Sequence, residues 1–278
     1  MRVEENLAGL ATEQARVSSS RKGKKKKKQK KSESMPTVVQ RLFDTCKDVF
    51  ADCGPGIIPS PEKIGMLRSM LDSMKPSDVG LSPKMPYFRS NEFRGPPPIT
   101  YLHLYECPRF SIGIFCLPPS AVIPLHNHPG MTVFSKILFG SMHIKSYDWT
   151  DASQITSEMI KPAHLQDRDL RLAKVNTDAV FIAPCETSIL YPAAGGNMHC
   201  FTAKTSVAVL DVLGPPYDDA AKRHCAYYTT FPCANISEDP AAASSEGEMY
   251  AWLEEKEKKP DDLIVVGAKY KGPKIVQH

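Results

Sequence analysis

The chain reads as a mainly β protein, a sandwich, jelly roll or barrel, preceded by two helices. Three observations carry this. From residue 99 onward the apolar residues recur with a period of two in many short runs. Those runs are rich in β-branched and aromatic residues and are separated by turns, with no alternating helices. The 24 prolines lie mostly between short apolar runs, as turn-rich β folds require.

The elements follow in order. Residues 1–34 carry 11 Lys and Arg against 4 Asp and Glu, and end in RKGKKKKKQKK. Such dense like charge predicts a disordered tail with the composition of a nuclear-import signal. The remaining residues carry 24 basic against 27 acidic side chains, so the net charge of +4 belongs to the tail. A folded part without basic excess does not suit a phosphate backbone. Residues 35–278 read as one domain.

MPTVVQRLFDTCKDVFADCGPG predicts a helix with Ser34 as its cap and Pro36 in its first turn. Val39, Leu42, Phe43, Cys46, Val49 and Phe50 form its apolar stripe. A second helix starts at Ser60-Pro61-Glu62, with Ile64, Leu67, Leu71 and Met74 on one side and Pro76 as its stop. Strands follow at ITYLHLYE, RFSIGIFCL, MTVFSKILF, SMHIKSYDW, DLRLAKV, AVFIAP, TSILYP, NMHCFTAK and SVAVLDVL. HCAYYTTF and DLIVVGAKY read as two more, flanking EMYAWLEEKEKK, which reads as a short helix.

The eight cysteines form no CxxC pair, and the N-terminus lacks a basic start followed by an apolar run. Reduced thiols in the cytoplasm or nucleus are expected. The longest apolar stretch, SIGIFCLPPSAVIPL, is broken by prolines and too short to span a bilayer.

The chemistry concentrates in PLHNHPGMTVFSKILFG. If His126 and His128 share a strand they face the same way, at a spacing suited to one metal ion. His199, in AAGGNMHCFTA, is the best third ligand. His103 and His143 sit among charged or polar strand neighbours, His164 lies in a polar stretch, His224 precedes CAYY and His278 ends the chain. Asp211 in SVAVLDVL alternates in phase with Val207, Val209 and Leu213, and a carboxylate on an apolar face is costly unless partnered. It reads either as a structural aspartate or as a group that orients a histidine or holds a substrate amine. Tyr217 in GPPYDD could bring its hydroxyl to a pocket mouth or simply pack. Cys225 and Tyr227 share a strand face. Cys200 points away from His199, into the core.

These motifs resemble the cupin superfamily. His126, His128 and Gly140 match its first motif, and Gly196 and His199 its second, with Pro192 two residues displaced. Val133 occupies the slot of the usual glutamate. The resemblance implies a cupin-type double-stranded β-helix, a jelly-roll barrel, with three neutral histidines on the metal. PLHNHPGMTVFSKILFGSMHIKSYDW and LDVLGPPY are similar to the plant cysteine oxidases, relatives of aminoethanethiol dioxygenase. That similarity implies iron(II) as cofactor, O2 as co-substrate, and oxidation of N-terminal protein cysteines to the sulfinic acid. It further implies arginylation and N-degron degradation of the product. Group VII ethylene-response transcription factors are the implied substrates and oxygen sensing the implied role. His126, His128 and His199 are then the metal ligands, and Asp211, Tyr217 and Cys225 the candidate catalytic side chains. The enzyme is expected as a monomer in nucleus and cytoplasm. Two alternatives stay open at this point: a three-histidine zinc hydrolase or hydratase, and a non-catalytic nuclear metal-binding cupin resembling pirin.

Overall fold

Two helices lie against the outside of a curled sheet, and a second sheet closes over that sheet's other face. The computed structural model describes residues 35–89, 95–151, 159–161, 165–235 and 250–277. The basic tail, Ser34, His164 and His278 fall outside these.

Helix α1 (Val38–Val49) is capped by Thr37, whose hydroxyl accepts from the Gln40 amide. The expected start at Ser34 is thereby corrected: Pro36 precedes the helix, and Thr37 sits one residue before the first helical turn, where a cap can reach it. Helix α2 (Pro61–Asp72) has Ser60 as cap and Pro61 in its first turn, as its sequence predicts. Short 3-10 turns follow at Pro76–Val79 and Pro86–Phe88.

The first sheet uses β1 (Ile99–Cys107), β2 (Phe110–Leu117), β4 (Thr132–Phe139), β8 (Ser188–Leu190), β10 (Val207–Gly214) and β14 (Val265–Ala268). Its order is β14-β1-β2-β10-β4-β8. The second uses β3 (Val122–His126), β5 (Ser141–Trp149), β7 (Leu170–Ile182), β9 (Met198–Ala203), β11 (Tyr228–Pro232) and β13 (Tyr250–Glu255), in the order β11-β13-β7-β5-β9-β3. β6 (Met159–Ile160) and β12 (Ala234–Asn235) form a small ribbon.

β2, β4 and β10 are buried on both faces, so their sequences read as nearly continuous apolar runs. Ile112, Ile114, Phe134, Leu210 and Val212 meet α1 and α2 through Leu42, Phe50, Leu67 and Leu71. Leu117, Ile137, Val207 and Val209 turn the other way and meet Met142, Ile144 and Phe201 of the second sheet. Asp211 follows that inward phase. Lys136, on the helix side, is buried and reaches the Asp72 carboxylate at 3.4 Å. Asp72 also accepts from the Thr187 amide at 2.7 Å and hydroxyl at 2.6 Å. Burial alone would raise the Asp72 pKa, but the Thr187 hydrogen bonds and Lys136 hold it below its ordinary value.

Two element assignments differ from expectation. EMYAWLEEKEKK contributes strand β13, not a helix: Ala251, Trp252 and Leu253 are buried, and the segment pairs with both β7 and β11. Helix-favouring Glu and Lys lose to long-range pairing. DLRLAKV and AVFIAP are one strand, β7. Its Asn-Thr-Asp stretch, which resembles a turn, lies beside a register shift opposite Ser146 and Tyr147.

Gly140 makes the tight link between β4 and β5. Its φ is +88°, and a Cβ there would stand 2.1 Å from the Ser206 carbonyl oxygen. Only glycine fits that turn unstrained.

Candidate metal centre

Strand β3 ends at His126, which pairs across to His199 on β9. A register shift between Ile123 and His126 brings the two into line. His126 also bridges Tyr227. His128 lies beyond the strand, so strand alternation is not what aims it, contrary to the sequence expectation. The three imidazoles nevertheless meet. Ring centroids are 4.9 Å apart for His126 and His128, 4.7 Å for His126 and His199, and 4.9 Å for His128 and His199. One nitrogen from each lies within 4.8 Å of the others, an arrangement that could hold a metal ion.

All three are buried. Burial lowers the His126 pKa to about 4 and drives His128 and His199 well below the usual imidazole range, so all three are neutral at pH 7. Neutral imidazole is the form that ligates metals. The outer nitrogens of His126 and His128 are already engaged. His126 Nδ1 donates to the Pro124 carbonyl at 2.8 Å. His128 Nδ1 lies 3.0 Å from the Tyr217 hydroxyl, which itself donates to the Asn127 carbonyl at 2.7 Å. The His199 ring stacks on Phe201, with centroids 4.3 Å apart and planes 6° from parallel. His128 Nε2 is buried with no hydrogen-bond partner among the described residues. An orphaned lone pair beside two others costs free energy unless something fills the gap. A divalent transition metal fits this donor set. Among the described residues no carboxylate joins it: Val133, in the slot of the usual glutamate, is buried against Met131 and Leu190.

The structure places the other candidates as follows. Asp211 is buried between Gly113 of β2 and Ser135 of β4. Burial raises its pKa to about 7, with the neighbouring Ser135 hydroxyl opposing the rise, and its Oδ1 has no hydrogen-bond partner among the described residues. The Tyr101 ring lies across Gly113, where a Cβ would stand 2.3 Å from its hydroxyl. Tyr217 does not present its hydroxyl at a mouth, because the Asn127 carbonyl and His128 Nδ1 hold it behind the ligand. Its pKa is driven far up by burial, then by Cys225, Tyr227 and Asp211, so it stays protonated. Cys225 precedes strand β11; burial raises its thiol pKa, against a lowering influence of the neighbouring Tyr217 and Tyr227 hydroxyls. A cavity of about 50 Å³ between the sheets touches His199, Val133, Ser135 and Ser146. His143 is paired with Asp178 at 2.7 Å, and His224 with Glu255 at 3.9 Å, both away from the cluster.

Sequence reasoning missed Asn127, Asp148, Ser135 and Asn197. Their one sequence signal is a polar side chain inside or beside an apolar strand, which does not say what it bonds.

Two curled sheets enclosing three neutral histidines and no carboxylate define a cupin with a three-histidine centre. The PCO_ADO family model matches residues 70–275. Plant cysteine oxidase 2 of Arabidopsis thaliana is 61% identical over 238 residues, covering 85% of this chain and 83% of the relative. 2-Aminoethanethiol dioxygenase of Homo sapiens is 32% identical over 227 residues, covering 77% and 82%. An RmlC-like cupin from Desulfovibrio desulfuricans aligns in structure with a TM-score of 0.28 and 17% identity, covering 46% of this chain and 93% of its own. The chain belongs to the PCO_ADO family and is a thiol dioxygenase.

Proposed function

We propose that the protein oxidises N-terminal cysteines of target proteins to the sulfinic acid, with iron(II) as its metal and O2 as co-substrate. The product is then marked for arginylation and N-degron degradation, and group VII ethylene-response transcription factors are the targets in an oxygen-sensing role. The observation that carries this reading is the centre itself: three neutral imidazoles with no carboxylate among them. The reaction balances as R–SH plus O2 giving R–SO2H, the second step of the thiol oxidation ladder. Iron held at this centre supplies the redox chemistry that joins both oxygen atoms to sulfur.

The protein's own residues do the rest. His126, His128 and His199 add no negative charge, so a substrate thiolate meets no charge crowding. The unpartnered Asp211 Oδ1 suits the α-ammonium of an N-terminal cysteine, a group that an internal cysteine lacks. Tyr217 holds the outer face of His128, and its raised pKa keeps the proton on its hydroxyl.

The test is mass spectrometry of a short cysteine-initiated peptide incubated aerobically with iron-loaded protein. A gain of two oxygen atoms is expected, and it should vanish without O2 or when the peptide N-terminus is acetylated. No gain with confirmed iron occupancy would overturn the assignment.

The basic run Arg21–Lys31 supports a nuclear share of a monomeric enzyme that also works in the cytoplasm. Among the described residues no helix is long and apolar enough to cross a membrane. Deleting residues 1–34 from a fluorescent fusion should shift signal from nucleus to cytoplasm. An unchanged distribution would remove the tail from this role.

A further inference from the structure

His128 poses a question that the strand ladder does not answer. It stands two residues past the end of β3, yet its imidazole is placed as closely as those of His126 and His199. Something other than strand pairing must hold its backbone.

Asn197 does so with its whole side chain. Its Oδ1 accepts from the His128 amide at 3.1 Å, and its Nδ2 donates to the His128 carbonyl at 2.9 Å. The same Nδ2 donates to the Tyr191 carbonyl at 2.7 Å. Asn197 is only 9% exposed, so these bonds face no competition from bulk water. It lies two residues before His199, and one amide side chain therefore ties two of the three imidazole-bearing segments together.

Asn197 is itself held. Asp148 on β5 accepts from the Asn197 amide at 3.1 Å and from the Gly196 amide at 2.9 Å. Asn176 donates to the other Asp148 oxygen at 3.0 Å. Gly196 has φ +82°, and a Cβ there would stand 2.4 Å from the Ser146 hydroxyl, so the backbone comes this close only at glycine. Through these bonds to the Gly196 and Asn197 backbones, Asp148 fixes the segment from which the Asn197 clamp projects. Asn127 completes the frame from the other side. Its Oδ1 accepts from the Ala226 backbone N–H at 2.9 Å, its own backbone N–H donates to the Ala226 carbonyl at 3.1 Å, and its Nδ2 donates to the Tyr228 hydroxyl at 3.1 Å.

We propose that Asn197, aligned by Asp148, is the positioning residue that sets the separation of His128 from His199 and so presets the site for one metal ion. This rests on the three-histidine centre binding a metal.

The experiment titrates metal-free full-length protein with cobalt(II), reading affinity and d–d absorption bands, beside thermal unfolding of the metal-free form. Asn197→Ala should lose about 10–100-fold in cobalt affinity, as groups that orient metal ligands do, and its bands should shift at saturation. Asn197→Asp keeps the acceptor but faces the two carbonyls with a second acceptor, so it should not rescue binding. His143→Ala breaks only the half-exposed pair with Asp178 on the same sheet and should bind cobalt as the wild type does. If Asn197→Ala does not fold, Asp148→Asn should show a smaller loss in the same direction. Wild-type affinity and bands in Asn197→Ala, or in a folded Asp148→Asn where Asn197→Ala fails, would overturn the proposal even if unfolding temperature fell. Wild-type protein that binds no cobalt would sink the metal reading itself, and the proposal with it.

Discussion

Replacing His199 by alanine is expected to lower metal affinity more than about 100-fold and to abolish thiol oxidation, while the barrel stays folded. The affinity estimate follows from scale: disturbing only the groups that orient a ligand already costs about 10–100-fold, and this change removes a ligand outright. The fold should survive because the β3–β9 and β5–β9 ladders use the His199 backbone, which alanine keeps. The lost ring stacks on Phe201 at 4.3 Å and adjoins the existing cavity of about 50 Å³. Enlarging that cavity costs on the order of 1–3 kcal/mol. Metal content after desalting, circular dichroism and the peptide assay check the three parts separately. A variant with full occupancy and full turnover would remove His199 from the ligand set.

Replacing Asp211 by asparagine is expected to keep the metal, lose turnover, and stabilise the metal-free protein at alkaline pH. The carboxyl is buried with one oxygen unpartnered, and its folded pKa of about 7 stands above the ordinary 3.8. The fold therefore favours the neutral acid. Below about pH 4 both folded and unfolded states hold the proton and there is no penalty. As pH rises toward 7 the unfolded chain releases its proton first, so the charged form costs the folded state progressively more. Above pH 7 the penalty is complete, on the order of 4 kcal/mol for a shift of this size. Asparagine cannot ionise and escapes it. Its gain in unfolding free energy should be largest near pH 8 and shrink toward pH 5. Turnover should fall because asparagine cannot ionise to meet the substrate ammonium as the carboxyl can, with KM rising more than metal occupancy changes. A normal rate with a normal KM would return Asp211 to a purely structural role.

The two changes probe different parts of the site. One removes an imidazole that meets two others. The other leaves all three and alters a carboxyl whose neighbours in the sheet are Gly113 and Ser135. A protein that loses activity in both cases but metal in only one separates ligation from substrate binding.

Helix α2, both glycine-bearing motifs and most strands are legible from local pattern, because their signals lie within a dozen residues of one another. Ser60-Pro61 caps and starts its helix as its residue types predict. The misread elements share a cause. Thr37 takes the cap role expected of Ser34 because helix α1 starts later. EMYAWLEEKEKK has helical composition, but Ala251 and Trp252 find partners in β7 and β11, on segments far away in the chain. Tyr217 is aimed by the Asn127 carbonyl, 90 residues distant.

By itself, the sequence determined the β-rich architecture, the three histidines that meet, and the absence of a carboxylate at Val133. The first is a matter of residue type and local spacing; the histidine set and the Val133 slot are what the resemblance to the cupin motifs implies. Only the tertiary structure decided how they are aimed. Strand alternation does not reach His128; an asparagine 69 residues away holds it instead. Asp211 becomes a neutral-favouring acid because two neighbouring strands bury it and leave one oxygen without a donor. Hydrogen bonds and desolvation of this kind join groups distant along the chain, so no local pattern in the sequence records them.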